Sequence, residues 1–535
     1  MPTECIPYSE TGYFSPLMCD YLTETEALKP FYHRFPKLEN FEAQLKEKQE
    51  SRLTDVSQRA ILSNALQVQY SNTKASEATL ENIQKLSSIH TFTITTGHQL
   101  NLFTGPLYFL YKIISTINLA ATLKEQFPNN EFVPIYWMAS EDHDFDEISF
   151  FNYKGKKIRW NREASGAVGE LSTEGLKEVF EAFAKELGTS NNATYLQSLF
   201  EEGYVKHNNL TDATRYIANE LFKEYGLVIV DGNDKSLKQL FIPFVENELF
   251  QQTAHKKVLE TAQKLTEISS AYKIQVNPRE INLFYIHDGI RERIIEKEGV
   301  FTVNNTSVRW NSEQIKQEVH AHPERFSPNA LLRPLYQEII LPNLCYIGGG
   351  GELAYWLELK DYFEAVEVTF PMLLLRNSAV VKTQKQSEKM EKLNISNRDL
   401  FLKRDAFVNK KTRELSDIKI DFSPQKQHLQ QQFKDLYKLA EQTDKSFLGA
   451  VAAQEKKQLK GIEHLEKRLL TAQKRGLKDK ISRSTELQEL LFPGNSLQER
   501  KQNFSELYLE YGETLIPTLV KHLQPLSGEF LVLEL

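Results

Sequence analysis

A chain of 535 residues with 41% hydrophobic content is long enough for two or more domains and can bury a sizeable core. Its 65 basic and 72 acidic residues leave a formal charge of -7 with neither sign concentrated, which argues against a nucleic-acid partner and for small-molecule chemistry. Cys5, Cys19 and Cys345 are the only cysteines and form no close pair, excluding a CxxC redox motif and a thiolate zinc site.

The N-terminal stretch MPTECIPYSETGYFSP has no basic segment leading into an apolar core, and nowhere do about 18 apolar residues follow one another. We therefore expect no signal peptide, no membrane partner and a cytoplasmic location. The runs TFTITT (residues 91–96), FVPIYWM (132–138), GLVIVD (226–231) and LCYIGG (344–349) each lead into glycine or polar residues and then, mostly, into helical patterning. That rhythm predicts an α/β fold of βα units around a buried parallel sheet. Residues 106–124, 233–249 and 352–365 are the expected crossover helices, the second interrupted by Pro243. The segment 153–210 starts strand-like, becomes helical and reads as an insertion. After Arg376 the composition turns to Lys, Gln and Glu. Leu429, Phe433, Leu436, Ala440, Thr443, Phe447 and Ala450 recur at alternating spacings of four and three, and Leu459, Ile462, Leu465 and Leu469 continue after a phase break. This predicts a helical arm folded as an antiparallel hairpin, followed by a C-terminal helix and an FLVLEL strand. The expected partition is a core over 1–380 with insertions at about 150–215 and 255–330, an arm over 381–495, and a return segment over 496–535.

Ligands of open α/β sheets sit beyond the carboxyl ends of the strands, where helix N-termini offer unpaired N–H groups. Unusual residues gather at those ends. The first strand leads into TTGHQLNLFTGPLYFLYKI, with Gly97, His98, Gln99, Gly105, Tyr108 and Lys112 as candidate ligand contacts. The second leads into ASEDHDFDE, where Glu141, Asp142, His143 and Asp144 could act as general base or fix an amine. No second ligand set stands at metal spacing, so no metal is expected. The tetraglycine GGGGELA contains Gly349, Gly351 and Ala354 in a G-x-G-x-x-A pattern, with Gly350 and Glu352 alongside and Glu367 in the next candidate strand. This would suit a dinucleotide, but four consecutive glycines meet the pattern easily. Arg325 and Arg333 offer forks for carboxylate or phosphate, against structural ion pairs with Glu338 or Glu352. KMEKL (389–393) has the letters of a nucleotidyltransferase loop inside a helix-forming run.

IPYSETGYFSPLMCDYL, TGHQLNLFTGPLYFLYK, VPIYWMASEDHDFDEI, RFSPNALLRPLYQEIILPNLCYIGGGGELAYWLELK and LFPGNSLQERKQN, in this order across essentially the whole chain, resemble the BshC family, cysteine ligases of bacillithiol biosynthesis. The resemblance implies a Rossmann-like core related to class I nucleotidyltransferases, connecting insertions and a coiled-coil domain that makes a homodimer. It also implies addition of L-cysteine to glucosaminyl-malate (GlcN-Mal) to give bacillithiol. Many members read TGQQ where this chain reads TGHQ, which weakens His98 as an indispensable base and favours Asp142, His143 and Asp144. Joining a carboxyl to an amine in water is uphill, so ATP or another nucleotide is the expected activating cofactor. Gly97 and Gly105 would then let backbone approach the nucleotide or substrate, and His98 and Lys112 would offset developing negative charge. Asp142, His143 and Asp144 would hold or deprotonate the glucosamine ammonium, and Arg333 would clamp the malate carboxylates. The competing readings are an NAD-dependent oxidoreductase using GGGGELA and a non-catalytic coiled-coil scaffold.

Overall fold

The computed structural model describes residues 3–51, 55–443 and 445–535. Two compact units emerge, one formed by residues 5–379 with 498–531 and the other by 1–4, 380–497 and 532–535.

The larger unit is built on five parallel strands, β1 (Thr91–His98), β2 (Glu131–Met138), β3 (Val228–Asp231), β4 (Asn343–Gly348) and β5 (Met372–Leu375), in spatial order β3-β2-β1-β4-β5. All eight residues of β1 and all six of β4 are buried, which is why these segments read as continuous apolar or threonine runs rather than alternating ones. Phe92, Ile94, Phe132, Leu344 and Ile347 form one cluster beneath the sheet with Leu119 and Leu123 of helix α1 (Tyr108–Gln126). Each such side chain contributes about 1.5–3 kcal/mol by burial. Helices α2 (Lys235–Gln251), α3 (Arg333–Ile340) and α4 (Gly350–Leu357) complete the connections the site depends on. Pro243 sits inside α2 without ending it. The third expected crossover helix divides into α4 and Lys360–Ala365, and Glu367 lies in a left-handed turn (φ 57°) ahead of β5 rather than in the strand. The chain runs outward from β1 to β3 on one side and from β4 to β5 on the other, so its topological switch point lies between β1 and β4.

Between β3 and β4 the chain builds an architecture not foreseen. Five antiparallel strands between residues 283 and 328 form a sheet of their own. One of its two-residue hairpins joins Leu283–His287 to Ile290–Lys297 through Asp288 and Gly289, both at positive φ (48° and 75°), the conformation a two-residue Asp-Gly turn supplies. The segment 273–281 has no regular structure and crosses in front of this sheet, tied by Glu358, which accepts the Gln275 N–H at 2.7 Å, and by Glu248, which accepts the Asn282 N–H at 2.7 Å.

Burial raises the carboxyls of Glu248 and Glu358 from 4.5 to about 7 despite these donors. The folded state therefore keeps a proton that the unfolded chain has lost, and stability declines as pH rises from about 4.5 to about 7. Glu358→Gln, which mimics the protonated form, should remove its share of that slope, roughly 3 kcal/mol at most. Thermal unfolding at the two ends of this window measures it; an unaltered pH slope contradicts the assignment.

In the smaller unit, α5 (Ser423–Ala440) and α6 (Lys445–Gly476) form the antiparallel hairpin. Tyr437 donates to Glu455 at 2.8 Å and Lys426 pairs with Glu466 at 3.3 Å, which fixes the opposed register. The heptad seam is interrupted by the turn at Glu441–Thr443, so it folds back on itself: Phe433, Ala440 and Val451 are buried together, with Leu429 and Tyr437 against them. KMEKL lies within the helix Gln384–Lys392 and its following cap. The chain then returns to the larger unit through Phe504–Tyr511 and Leu515–His522, and Leu531 donates its N–H to the Ser378 carbonyl. Among the described residues no helix is long and apolar enough to cross a membrane.

Candidate active site

An open cleft of about 770 Å³ lies beyond the carboxyl ends of β1, β2 and β4, at the switch point. Gly97, His98, Gln99, Glu141, Asp142, Arg333 and Glu352 all line it, so residues from four separate sequence blocks share one site. Trp137, Tyr346 and Tyr355 supply its aromatic walls.

Gly97 is where the cleft needs a missing side chain. A Cβ there would come within 3.1 Å of the Tyr346 hydroxyl and 3.7 Å of Arg333 Nη1. Its carbonyl accepts from Lys112 Nζ at 2.6 Å, and Lys112 also pairs with Glu352 at 2.6 Å. Lys112 is thus buried with two protein partners; it holds the β1 end to α4 and does not line the cleft, because α1 runs beneath the sheet. Gly105 does not line the cleft either. It ends three consecutive residues at positive φ (Phe103 46°, Thr104 67°, Gly105 64°), and Asn503 donates to both the Phe103 and Gly105 carbonyls. Buried backbone held this way persists only when its surroundings over-determine it. Here Phe103 is locked among Phe151, Phe183, Phe200 and Phe504.

His98 is packed between the rings of Tyr108 and Phe109, and its Nε2 is buried without a partner. Burial and the neighbouring Lys112 charge push it well below the usual histidine range, so it is neutral at pH 7. Tyr108 also lies under the Arg376 guanidinium, 4.9 Å from its ring, and serves as packing.

Asp142 is the most strongly organised acid. Burial alone would raise its carboxyl, but the His143 side chain 3.5 Å away, Gln99 Nε2 donating at 2.8 Å, the His143 N–H donating at 2.7 Å and the nearby Arg291 charge together hold it well below the usual carboxylate range. Glu141 is paired with Lys238, a buried lysine of α2 that also donates to the Phe326 carbonyl at 2.8 Å. His143 turns out of the cleft. Arg291 Nη1 stands 2.8 Å from its Nδ1, and since a guanidinium only donates, Nδ1 carries the lone pair and Nε2 the proton. The ring's acceptor is therefore occupied, and His143 orients Arg291 where a general base had been expected. Asp144 caps the short helix Phe145–Ile148 through the Glu147 N–H and does not reach the cleft.

Arg333, at the start of α3, donates through Nη1 to Gln337 at 3.0 Å and its guanidinium bonds the Tyr355 hydroxyl, while Nη2 is buried with no well-aligned hydrogen bond. It forms neither ion pair weighed for it: Glu338 pairs with Lys48 and Glu352 with Lys112. Arg325 is the structural one, bound to Glu318 at 2.8 Å. At the tetraglycine, Glu352 folds back to accept the Gly349 N–H at 2.7 Å, so the N-terminus of α4 is capped by its own carboxylate. Gly349, Gly350 and Gly351 stand beside the cleft without lining it, and a Cβ at any of them would meet nothing closer than 3.5 Å. A dinucleotide phosphate does not fit there unless it displaces a carboxylate that Lys112 holds ionised. Among the described residues no group of three or more His, Cys, Asp or Glu is placed to hold a metal.

Sequence reasoning missed Arg291, Lys238, Trp137, Tyr346, Tyr355 and Asn503. Arg291 and Lys238 were legible only as solvated charges; the Asp288-Gly289 turn, which fixes the strand carrying Arg291, was the signal available.

Two family descriptions cover the chain: "Bacillithiol biosynthesis BshC, N-terminal Rossmann-like domain" over residues 1–377 and "Bacillithiol biosynthesis BshC, C-terminal coiled-coil domain" over residues 379–535. The chain belongs to the BshC family. A relative from Christiangramia forsetii is 61% identical over 100% of this chain and 99% of its own, and one from Flavobacterium johnsoniae is 57% identical over the full length of both. A Bacillus cytotoxicus relative is 27% identical over 86% of this chain and 88% of its own. All three carry the name "Putative cysteine ligase BshC". The Rossmann-like description agrees with the β3-β2-β1-β4-β5 sheet, and the coiled-coil description with the hairpin of α5 and α6. In this BshC chain the cleft lies wholly inside the Rossmann-like region.

Proposed function

We propose that the chain is a ligase of bacillithiol biosynthesis that joins the carboxyl group of L-cysteine to the glucosamine amine of GlcN-Mal. The observation that carries this reading is the opposition of charge in one cleft: an ionised Asp142 facing solvent space also bordered by Arg333, whose Nη2 has no well-aligned hydrogen bond. A carboxylate held far below its usual range is a poor base and a good counter-ion, so Asp142 binds the substrate ammonium and orients its nitrogen. The free donor of Arg333 suits the oxygen of the acyl group, where negative charge grows as the carbonyl is attacked. Trp137 and Tyr346, with ring centres 6.0 and 5.6 Å from the guanidinium, keep that side of the cleft dry.

An amide bond forms only if a carboxylate oxygen leaves: a nucleotide such as ATP would turn the cysteine carboxylate into an acyl phosphate or adenylate whose phosphate-bearing group departs, and the ammonium held by Asp142 would give up its proton to solvent before its nitrogen attacks. Arg333 is the cleft residue suited to a phosphoryl oxygen; the tetraglycine end is closed by Glu352, which also leaves the oxidoreductase reading without a phosphate site. In a strain lacking this gene, thiol mass spectrometry should find GlcN-Mal accumulated and bacillithiol gone. An unchanged thiol pool would overturn the reading.

The arm supports a homodimer. Leu436, Leu439, Phe447, Leu448 and Leu465 remain exposed on α5 and α6 after the hairpin has closed, at 39–57% of their free areas. Several leucines buried at about 1.5–3 kcal/mol each would outweigh much of the entropy of association. Leu436→Asp with Leu465→Asp should give a monomer by light scattering with the larger unit still folded. An unmodified protein already monomeric at micromolar concentration would refute this.

A further inference from the structure

A second open chamber, of about 990 Å³, adjoins the cleft and shares Asp142, Arg291, Asn329 and Ala330 with it. Its outer wall comes from the antiparallel sheet between β3 and β4 and from the segment 273–281 in front of it. Arg291 and Arg293 are two residues apart on one strand and so face the same way; Phe284 stands directly opposite Arg293 in the register, and the Arg291 guanidinium lies 4.0 Å over its ring. Arg279 completes the set from the crossing segment.

The charge of this chamber is unbalanced. Three guanidiniums line it against the single carboxylate of Asp142, and among the described residues neither Arg279 nor Arg293 forms an ion pair. On their far side the two border a recess with Glu280 and Glu296, which also stay beyond ion-pair distance. Like charges on one face of a strand pair repel unless an anion answers them. Arg291 is already committed to His143 and the Pro328 carbonyl, which leaves two forks free.

We propose that this outer chamber binds the dicarboxylate end of the amine acceptor, with Arg279 and Arg293 as its anion contacts while Asp142, shared by both spaces, holds the ammonium. This rests on the ligase reading and divides the site: the inner cleft with Arg333 takes the activated amino acid, and the outer chamber takes the molecule that attacks it. One ammonium against Asp142 and two carboxylates against two free guanidiniums match GlcN-Mal group for group. Asn277 lines the same chamber and offers its amide to a sugar hydroxyl, whereas the Asn329 amide is held by Asn282, Leu331 and Leu332.

Calorimetric titration of the purified full-length chain with GlcN-Mal tests the division. Arg279→Ala with Arg293→Ala should weaken binding at least tenfold, and malate should compete with GlcN-Mal where lactate, a monocarboxylate, does not. Should the double variant misfold, Arg279→Ala alone, at an exposed position, should weaken binding in the same direction. Unchanged affinity in folded variants overturns the chamber assignment while leaving the ligase reading standing. Loss of ATP binding with GlcN-Mal binding intact overturns it in favour of a triphosphate. An intact wild type that does not bind GlcN-Mal removes the ligase reading and the assignment with it.

Discussion

Replacing Asp142 by Asn should lower kcat/KM for bacillithiol formation by roughly 10²- to 10³-fold, the loss expected when one partner of a desolvated charge pair is neutralised. The variant keeps an oxygen for the His143 N–H but offers a neutral amide to the ammonium, and its own NH2 would oppose Gln99 Nε2, now 2.8 Å away. The fold should be untouched, since no strand or helix depends on that charge. His143→Ala should cost less, about tenfold, because its ring acts through Arg291; His98→Gln should be tolerated, its imidazole being neutral and making no bond through Nε2. Thiol assays on folded variants decide this, and full activity in Asp142→Asn would end the role assigned to that carboxylate.

The largest effect on stability is expected at Lys48 and Glu338. Both are fully buried, 3.4 Å apart, and Glu338 also accepts from Gln337 and Asn343, the latter tied to Thr95 of β1. Burial pushes Lys48 down and Glu338 up, yet each is held by the other's charge. Glu338→Ala would strand an ammonium in the interior and should cost about 3–5 kcal/mol. Lys48→Met combined with Glu338→Leu should cost markedly less than the single change, because removing both charges removes the desolvation penalty with the attraction. Denaturant unfolding of the three variants measures it. A double variant as unstable as the single would mean that the hydrogen bonds to Gln337 and Asn343, and not the charge, dominate.

What the sequence by itself determined is the layered core and the loops that meet at its edge. The four apolar runs became β1 to β4 because fully buried strands need continuous apolar or threonine faces, and a period-free run of that length has few other uses. The positions of Gly97, Asp142 and Glu352 followed, since strand ends of a parallel sheet lie on one side. Tertiary structure decided what those residues do. Lys112 read as a free cation until the packing of α1 beneath β1 gave it the Gly97 carbonyl and Glu352. His143 read as a base until a strand some 150 residues away placed Arg291 on its only lone pair. That strand, IRERIIEK, was invisible because five of its eight residues are charged and at least partly exposed, and strand pairing depends on neighbours distant in sequence. The heptads of α5 and α6 fixed helices and period, whereas which leucines stay exposed was settled by the turn at Glu441–Thr443, which uses part of the seam within one chain.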